Sequence, residues 1–113
     1  LIVKVMKRHV WEQAKAQGEI HEESLLTEGF IHCSFLEQAT KTAEKHFAGE
    51  TDLVLLKIDP DLVQAEIKYE RASNGKEYPH VYGPINIDAV TAAVFFVKNE
   101  NGEFVLPMEW QAN

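Results

Sequence analysis

The sequence predicts an α+β fold of two helices and five or six strands. Three observations carry this prediction. Helical periodicity is confined to two stretches before Gly49. From Leu53 onward apolar residues run continuously or alternate, which is strand behaviour. Helices therefore come early and strands cluster late, which favours a small antiparallel or mixed sheet.

In chain order, "LIVKV" (Leu1–Val5) is short, apolar and β-branched, and reads as a strand. "HVWEQAKAQG" follows as a helix with Val10, Trp11 and Ala14 on one face and Gly18 as a left-handed stop. "EIHEESLLTE" has no clear period and reads as a surface connection. "GFIHCS" (Gly29–Ser34) is a strand with Phe30, His32 and Ser34 on one side and Gly29, Ile31 and Cys33 on the other. Ser34 and Glu37 have the spacing of a capping box, which starts a helix running to about Phe47 with Leu36, Ala39, Ala43 and Phe47 inward.

"DLVLLKID" (Asp52–Asp59) is the strongest strand, its run Leu53–Leu56 suited to a sheet covered on both faces. "VQAEIKYE" (Val63–Glu70) alternates as a further strand. "YPHVYGPI" is interrupted by Pro79 and Pro84, so it is expected to be a strand edge or an ordered loop. "DAVTAAVFFVKN" is a long strand, "ENG" a hairpin turn and "EFVLP" the last strand. The expectation is one domain over residues 1–107 and a tail over 108–113.

Bulk composition narrows the function. The formal net charge is −7 and no basic run is present, which argues against nucleic-acid binding driven by phosphate neutralisation. No stretch approaches the ~18 apolar residues of a membrane span, and no leader pattern is visible. The lone Cys33 allows no internal disulfide and fits a reducing compartment. A cytoplasmic protein is expected, away from membranes, with a monomer favoured and its oligomeric state left open.

His32 is the leading candidate for chemistry; the plain alternative is a packed histidine bonded to a backbone carbonyl. His80 and Tyr82 lie between two prolines and beside Gly83, so their backbone has little freedom. The plain alternative for that segment is a rigid aromatic lid. Cys33 faces away from His32 by alternation and reads as a packing residue. His32, His80 and either His9 or His21 lack metal-site spacing, and no metal is expected. Glu77 reads as a solvated charge; Glu70 reads equally as that or as a site carboxylate.

The ordered motifs "WEQA", "EGFIHCS" with Gln38, "DLVLLKID", "YPHVYGPI", "NG" and "F.LP" resemble a small bacterial family of unknown function with GFIHCS and FPHLYG signatures. The resemblance spans about Ile2 to Pro107, with Tyr78 where the family has Phe and Val81 where it has Leu. It implies an ADP-ribosyltransferase-like fold, small sheets with two helices in the N-terminal half around a cleft that grips NAD.

On that resemblance, His32 occupies the place of the histidine or tyrosine that tRNA 2′-phosphotransferases and poly-ADP-ribose polymerases set against nicotinamide. His80 stands where transferases carry a catalytic glutamate, and Glu70 is the carboxylate left to replace it. Lys4 stands where they hold the adenosine ribose with His or Arg, and Ser34, Tyr82 and Gly83 complete the ligand contacts. The implied activity is ADP-ribosyl transfer or NAD glycohydrolysis, with NAD as the cofactor and a small nucleotide-like ligand as the partner. The alternatives are a non-catalytic nucleotide or ADP-ribose binder and a protein-interaction domain.

Overall fold

The computed structural model describes residues 1–111. Strand β1 (Ile2–Lys7) is buried from Ile2 to Met6. Helix α1 (Arg8–Gln17) turns Trp11 and Ala14 inward and stops at Gly18, whose φ of 89° needs the absence of a Cβ. The expected surface connection holds two short elements, β2 (Glu19–Ile20) and the single turn α2 (Ser24–Thr27). "GFIHCS" is not one strand: it divides into β3 (Ile31–His32) and β4 (Ser34–Phe35), which join different sheets. A 3-10 turn (Leu36–Gln38) leads into α3 (Ala39–Phe47), which buries Ala39 and Ala43.

The capping box expected between Ser34 and Glu37 does not form. The helix start is set one residue later, where the Gln38 side chain accepts from the Phe35 amide at 2.9 Å. Gln38 also donates to the Glu77 carbonyl at 2.9 Å. Phe35 has no side-chain acceptor, so only half of the reciprocal motif exists.

The second half supplies β5 (Leu53–Ile58), β6 (Glu66–Arg71), β7 (Glu77–Tyr82), β8 (Ile85–Asn86) and β9 (Val90–Phe96). They form a four-stranded sheet in the order β4-β1-β5-β9, a ribbon β2-β8 and a three-stranded sheet β3-β7-β6. Every pairing of these strands is antiparallel. "EFVLP" is not a strand; a single bridge joins Lys98 and Phe104. The expected tail begins with a 3-10 turn (Met108–Trp110) whose Trp110 is buried in the core, so the packed unit extends past Pro107. Ala112 and Asn113, also assigned to that tail, lie outside the described residues.

The four-stranded sheet is covered on both faces, as the run Leu53–Leu56 requires. Val3, Val5, Leu53 and Leu55 pack against α3, Phe104 and Trp110. Ile2, Met6, Val54, Leu56 and Ile58 pack on the opposite face, against α1 and the inner face of β3 and β7 through Ile31 and Val81. The three-stranded sheet thus presents its other face outward, and that face carries His32, His80 and Tyr82. No helix among the described residues is long and apolar enough to cross a membrane.

Proline did not relegate "YPHVYGPI" to an edge: β7 is the central strand of its sheet, and Pro79 is buried within it. The register explains this. The Pro79 carbonyl accepts from the Cys33 amide at 3.1 Å, so the carbonyl and the missing N–H both face the β3 side. There β3 has already ended, and no ladder bond to β6 is lost.

After β7 the chain passes Ala65 closely at Gly83, where an added Cβ would lie 2.9 Å from the Ala65 Cβ. Gly83→Ala is expected to destabilise by ~1–3 kcal/mol, the usual cost of overpacking. Urea unfolding measures this, and Ala65→Gly in the same chain should recover most of the loss. An unchanged unfolding midpoint in Gly83→Ala would show that the backbone is free to move apart here.

Candidate functional site

The site begins with a strand pair. His32 lies opposite His80 across β3 and β7. The neighbouring pair, Cys33 and Pro79, occupies the hydrogen-bonded position, so His32 and His80 form the non-bonded pair, whose side chains stand closer. Their ring centroids are 5.4 Å apart at 76°. Phe30 stacks on His80 at 4.0 Å and 20°, meets His32 edge-on at 4.9 Å, and lies 5.2 Å from Tyr82. Together the four rings form one aromatic surface.

Two carboxylates fix the histidines. Glu70 Oε1 lies 2.8 Å from His80 Nδ1 and accepts from the Tyr82 hydroxyl at 2.6 Å. Glu28 Oε2 lies 2.8 Å from His32 Nε2. In the neutral rings these bonds place the protons on His80 Nδ1 and His32 Nε2, leaving His80 Nε2 and His32 Nδ1 as acceptors. The hydrogen bonds from Tyr82 and then His80 hold the Glu70 carboxyl below the ordinary value of 4.5, and Glu70 pushes the Tyr82 hydroxyl upward in return. The pair arrangement suits hydroxyl binding and proton transfer.

Beneath the strand lies a second polar group. Lys4, only 6% exposed, ion-pairs with Glu22 at 2.5 Å and donates to the His32 carbonyl at 2.7 Å. Glu22 also accepts from the Ser24 hydroxyl at 2.8 Å and from the His32 amide at 3.3 Å. Burial raises the Glu22 carboxyl, but the Lys4 charge and these hydrogen bonds outweigh it and hold the group below 4.5.

Of the residues singled out in the sequence, the structure brings together His32, His80, Glu70 and Tyr82. It separates the others. Lys4 is spent on Glu22 and the His32 carbonyl and supports the strand from behind. Ser34 is buried and bonded to the Thr42 hydroxyl at 2.9 Å, because the chain changes sheets at Cys33. Gly83 serves the close pass beside Ala65. Cys33 is buried, and burial pushes its thiol up to about 11, which suits packing rather than nucleophilic attack.

Glu22 carried no sequence signal, since it lies in the aperiodic connection, and Glu28 opened the "EGFIHCS" motif without being read as a site residue. Phe30 did carry one, sharing the His32 face by alternation. Among the described residues no group of three or more His, Cys, Asp or Glu is placed to hold a metal ion. Two shallow hollows, about 390 and 370 Å³, lie beside His21–Leu26 and beside Phe35 and Tyr78. Neither is lined by His32 or His80, which lie on the outward sheet face. The His32 side chain is 50% exposed and Glu70 40%, whereas His80 is 13% exposed.

Two measurements check these assignments. Tyr82→Phe removes one donor to Glu70, and carbon-13 NMR should show the Glu70 carboxyl titrating at higher pH; an unmoved titration would mean the hydroxyl bond is not formed in solution. Lys4→Met strips a largely buried pair of one partner, for an expected loss of ~1–3 kcal/mol, reduced from the fully buried case because Glu22 keeps some solvent. Because the folded Glu22 carboxyl is depressed, the pair's stabilisation is present above the unfolded value and lost as pH falls through the folded one. The gap between wild type and Lys4→Met in urea unfolding should therefore narrow in acid, and a gap that widens there would contradict the pairing.

The comparisons with known proteins agree with the fold and leave the activity open. The crystal structure of Protein CC0527 from Caulobacter crescentus matches with a TM-score of 0.85 and 34% identity over 96% of each chain. Its solution NMR structure matches with a TM-score of 0.78 and 36% identity, over 91% of this chain and 90% of that one. No curated protein matches. The family model described as "Protein of unknown function (DUF952)" matches residues 5–93, and the chain belongs to that family.

Proposed function

We propose that the outward face of β3, β7 and β6 binds NAD or an ADP-ribose-like group, and that the protein cleaves or transfers at the nicotinamide–ribose bond. This reading carries with it the ADP-ribosyltransferase-like fold implied by the motifs. One observation supports it above the rest: Glu70 is held through a single oxygen. Oε1 takes both the His80 and Tyr82 bonds, leaving Oε2 to face a ligand.

Breaking the nicotinamide–ribose bond sends the bonding electrons out with nicotinamide and leaves positive charge on the ribose. An ionised Glu70 facing that charge, with Oε2 on a ribose hydroxyl, lowers the barrier electrostatically. Water then forms the new bond to the ribose carbon and gives its proton to His80 Nε2, which is the acceptor while Nδ1 donates to Glu70. The balance is NAD plus water to nicotinamide, ADP-ribose and a proton. His32 and Phe30 supply the aromatic edge and face against which a nicotinamide or adenine ring stacks.

A second reading, binding without turnover, is favoured by exposure. His32 stands half in solvent, and an open face excludes water poorly. One experiment separates the two. The labelled protein is titrated with NAD and ADP-ribose while amides at Phe30–Ser34 and His80–Gly83 and free nicotinamide are followed. Turnover predicts shifts in both segments with nicotinamide release, cut by about a hundredfold in Glu70→Gln. Shifts without release favour the binder, and no shifts at millimolar ligand remove both readings.

A further inference from the structure

We propose that Lys68 selects a phosphorylated ligand at this face, discriminating a ribosyl phosphate or pyrophosphate from the corresponding bare nucleoside. The inference rests on the ribosyl-ligand reading above and adds to it a specificity residue. Three observations carry it.

The first is register. Lys68 on β6 lies opposite His80, which lies opposite His32, so the three occupy one row across the sheet. Neighbouring strands sit about 4.8 Å apart, which sets Lys68 roughly 10 Å from His32 at the backbone. A nucleotide stretched between the aromatic rings and a phosphate contact spans that distance.

The second is composition. The outward strand positions are His32, Tyr78, His80, Tyr82, Glu66, Lys68 and Glu70, and Lys68 is the only Lys or Arg among them. Glu28 adds a further carboxylate beside His32, so Lys68 is the one Lys or Arg charge on a set of strand positions otherwise occupied by acidic and aromatic groups. A phosphate bound along these strands is best met at Lys68.

The third is placement. The Lys68 ammonium lies over the Tyr82 ring, 4.7 Å from its centroid. The ring holds the charge at the margin of the aromatic surface by cation–π attraction without using up its N–H donors. Tyr82 also donates to Glu70 from its hydroxyl, so one side chain carries a cation at its ring and a carboxylate at its tip, a phosphate contact beside a ribose contact.

The test compares NAD, nicotinamide mononucleotide and nicotinamide riboside, which share the glycosidic bond and differ in phosphate. Binding is followed by NMR titration of wild type, Lys68→Gln and Lys68→Arg. Lys68 is exposed, so both variants are expected to fold, and their amide spectra check it. The expected result is that Lys68→Gln weakens NAD and the mononucleotide about tenfold, leaves the riboside unchanged, and is rescued by Lys68→Arg. Equal weakening of all three ligands, or none, overturns the role of Lys68 while leaving the ribosyl site standing. Failure of wild type to bind any of the three overturns the ribosyl reading and this inference together.

Discussion

A single ammonium group ties the two main sheets of this protein together. Lys4 sits in β1, at the centre of the four-stranded sheet, and faces the side on which the three-stranded sheet packs. A charge so nearly buried needs a partner and full hydrogen bonding to offset its lost hydration. Both partners, the Glu22 carboxylate and the His32 carbonyl, come from the segment between α1 and α3. That segment has little regular structure, two-residue strands and one helical turn, so its own ladder bonds are too few to fix it. The ammonium supplies the missing constraint, and the position of His32 follows from it.

From that anchor the outward face follows in steps. Alternation along β7 sends Val81 into the core and His80 and Tyr82 outward. Pairing with β6 brings Glu70 within reach of both. Phe30, outside any strand, folds over the histidines and fills the gap between them. The face is polar in its atoms and aromatic in its bulk, a combination that suits a ligand with both hydroxyls and flat rings.

Much of this was legible in the sequence, for identifiable reasons. The run Leu53–Leu56 announced a strand covered on both sides, and the Trp11–Ala14 stripe with Gly18 announced α1. Alternation put Phe30 and His32 on one face, whereas the meeting of His32 with His80, Tyr82 and Glu70 depends on which strands pair, and no local period reports that. Pro79 misled because a proline forbids one hydrogen bond on one side, and sequence does not say which side is already vacant. Ser34 misled because it has the right chemistry for a cap, while the chain there is passing from one sheet to the other. Lys4 was singled out only through the resemblance, as a ligand contact, because its actual partner Glu22 lay in a stretch with no periodicity to place it. Trp110 closes the core across many residues, and no local pattern reports such a contact.

The proline in β7 has a wider meaning for the shape of the site. Continued pairing of β3 past His32 would need a donor from residue 79, and proline has none. The ladder therefore ends there, and the chain is released at Cys33 to start β4 in the other sheet. His32 becomes the last rung, a terminus rather than a mid-strand position. A missing hydrogen atom in one strand thus draws the border of the surface beside it, leaving the histidine pair at the sheet's open margin.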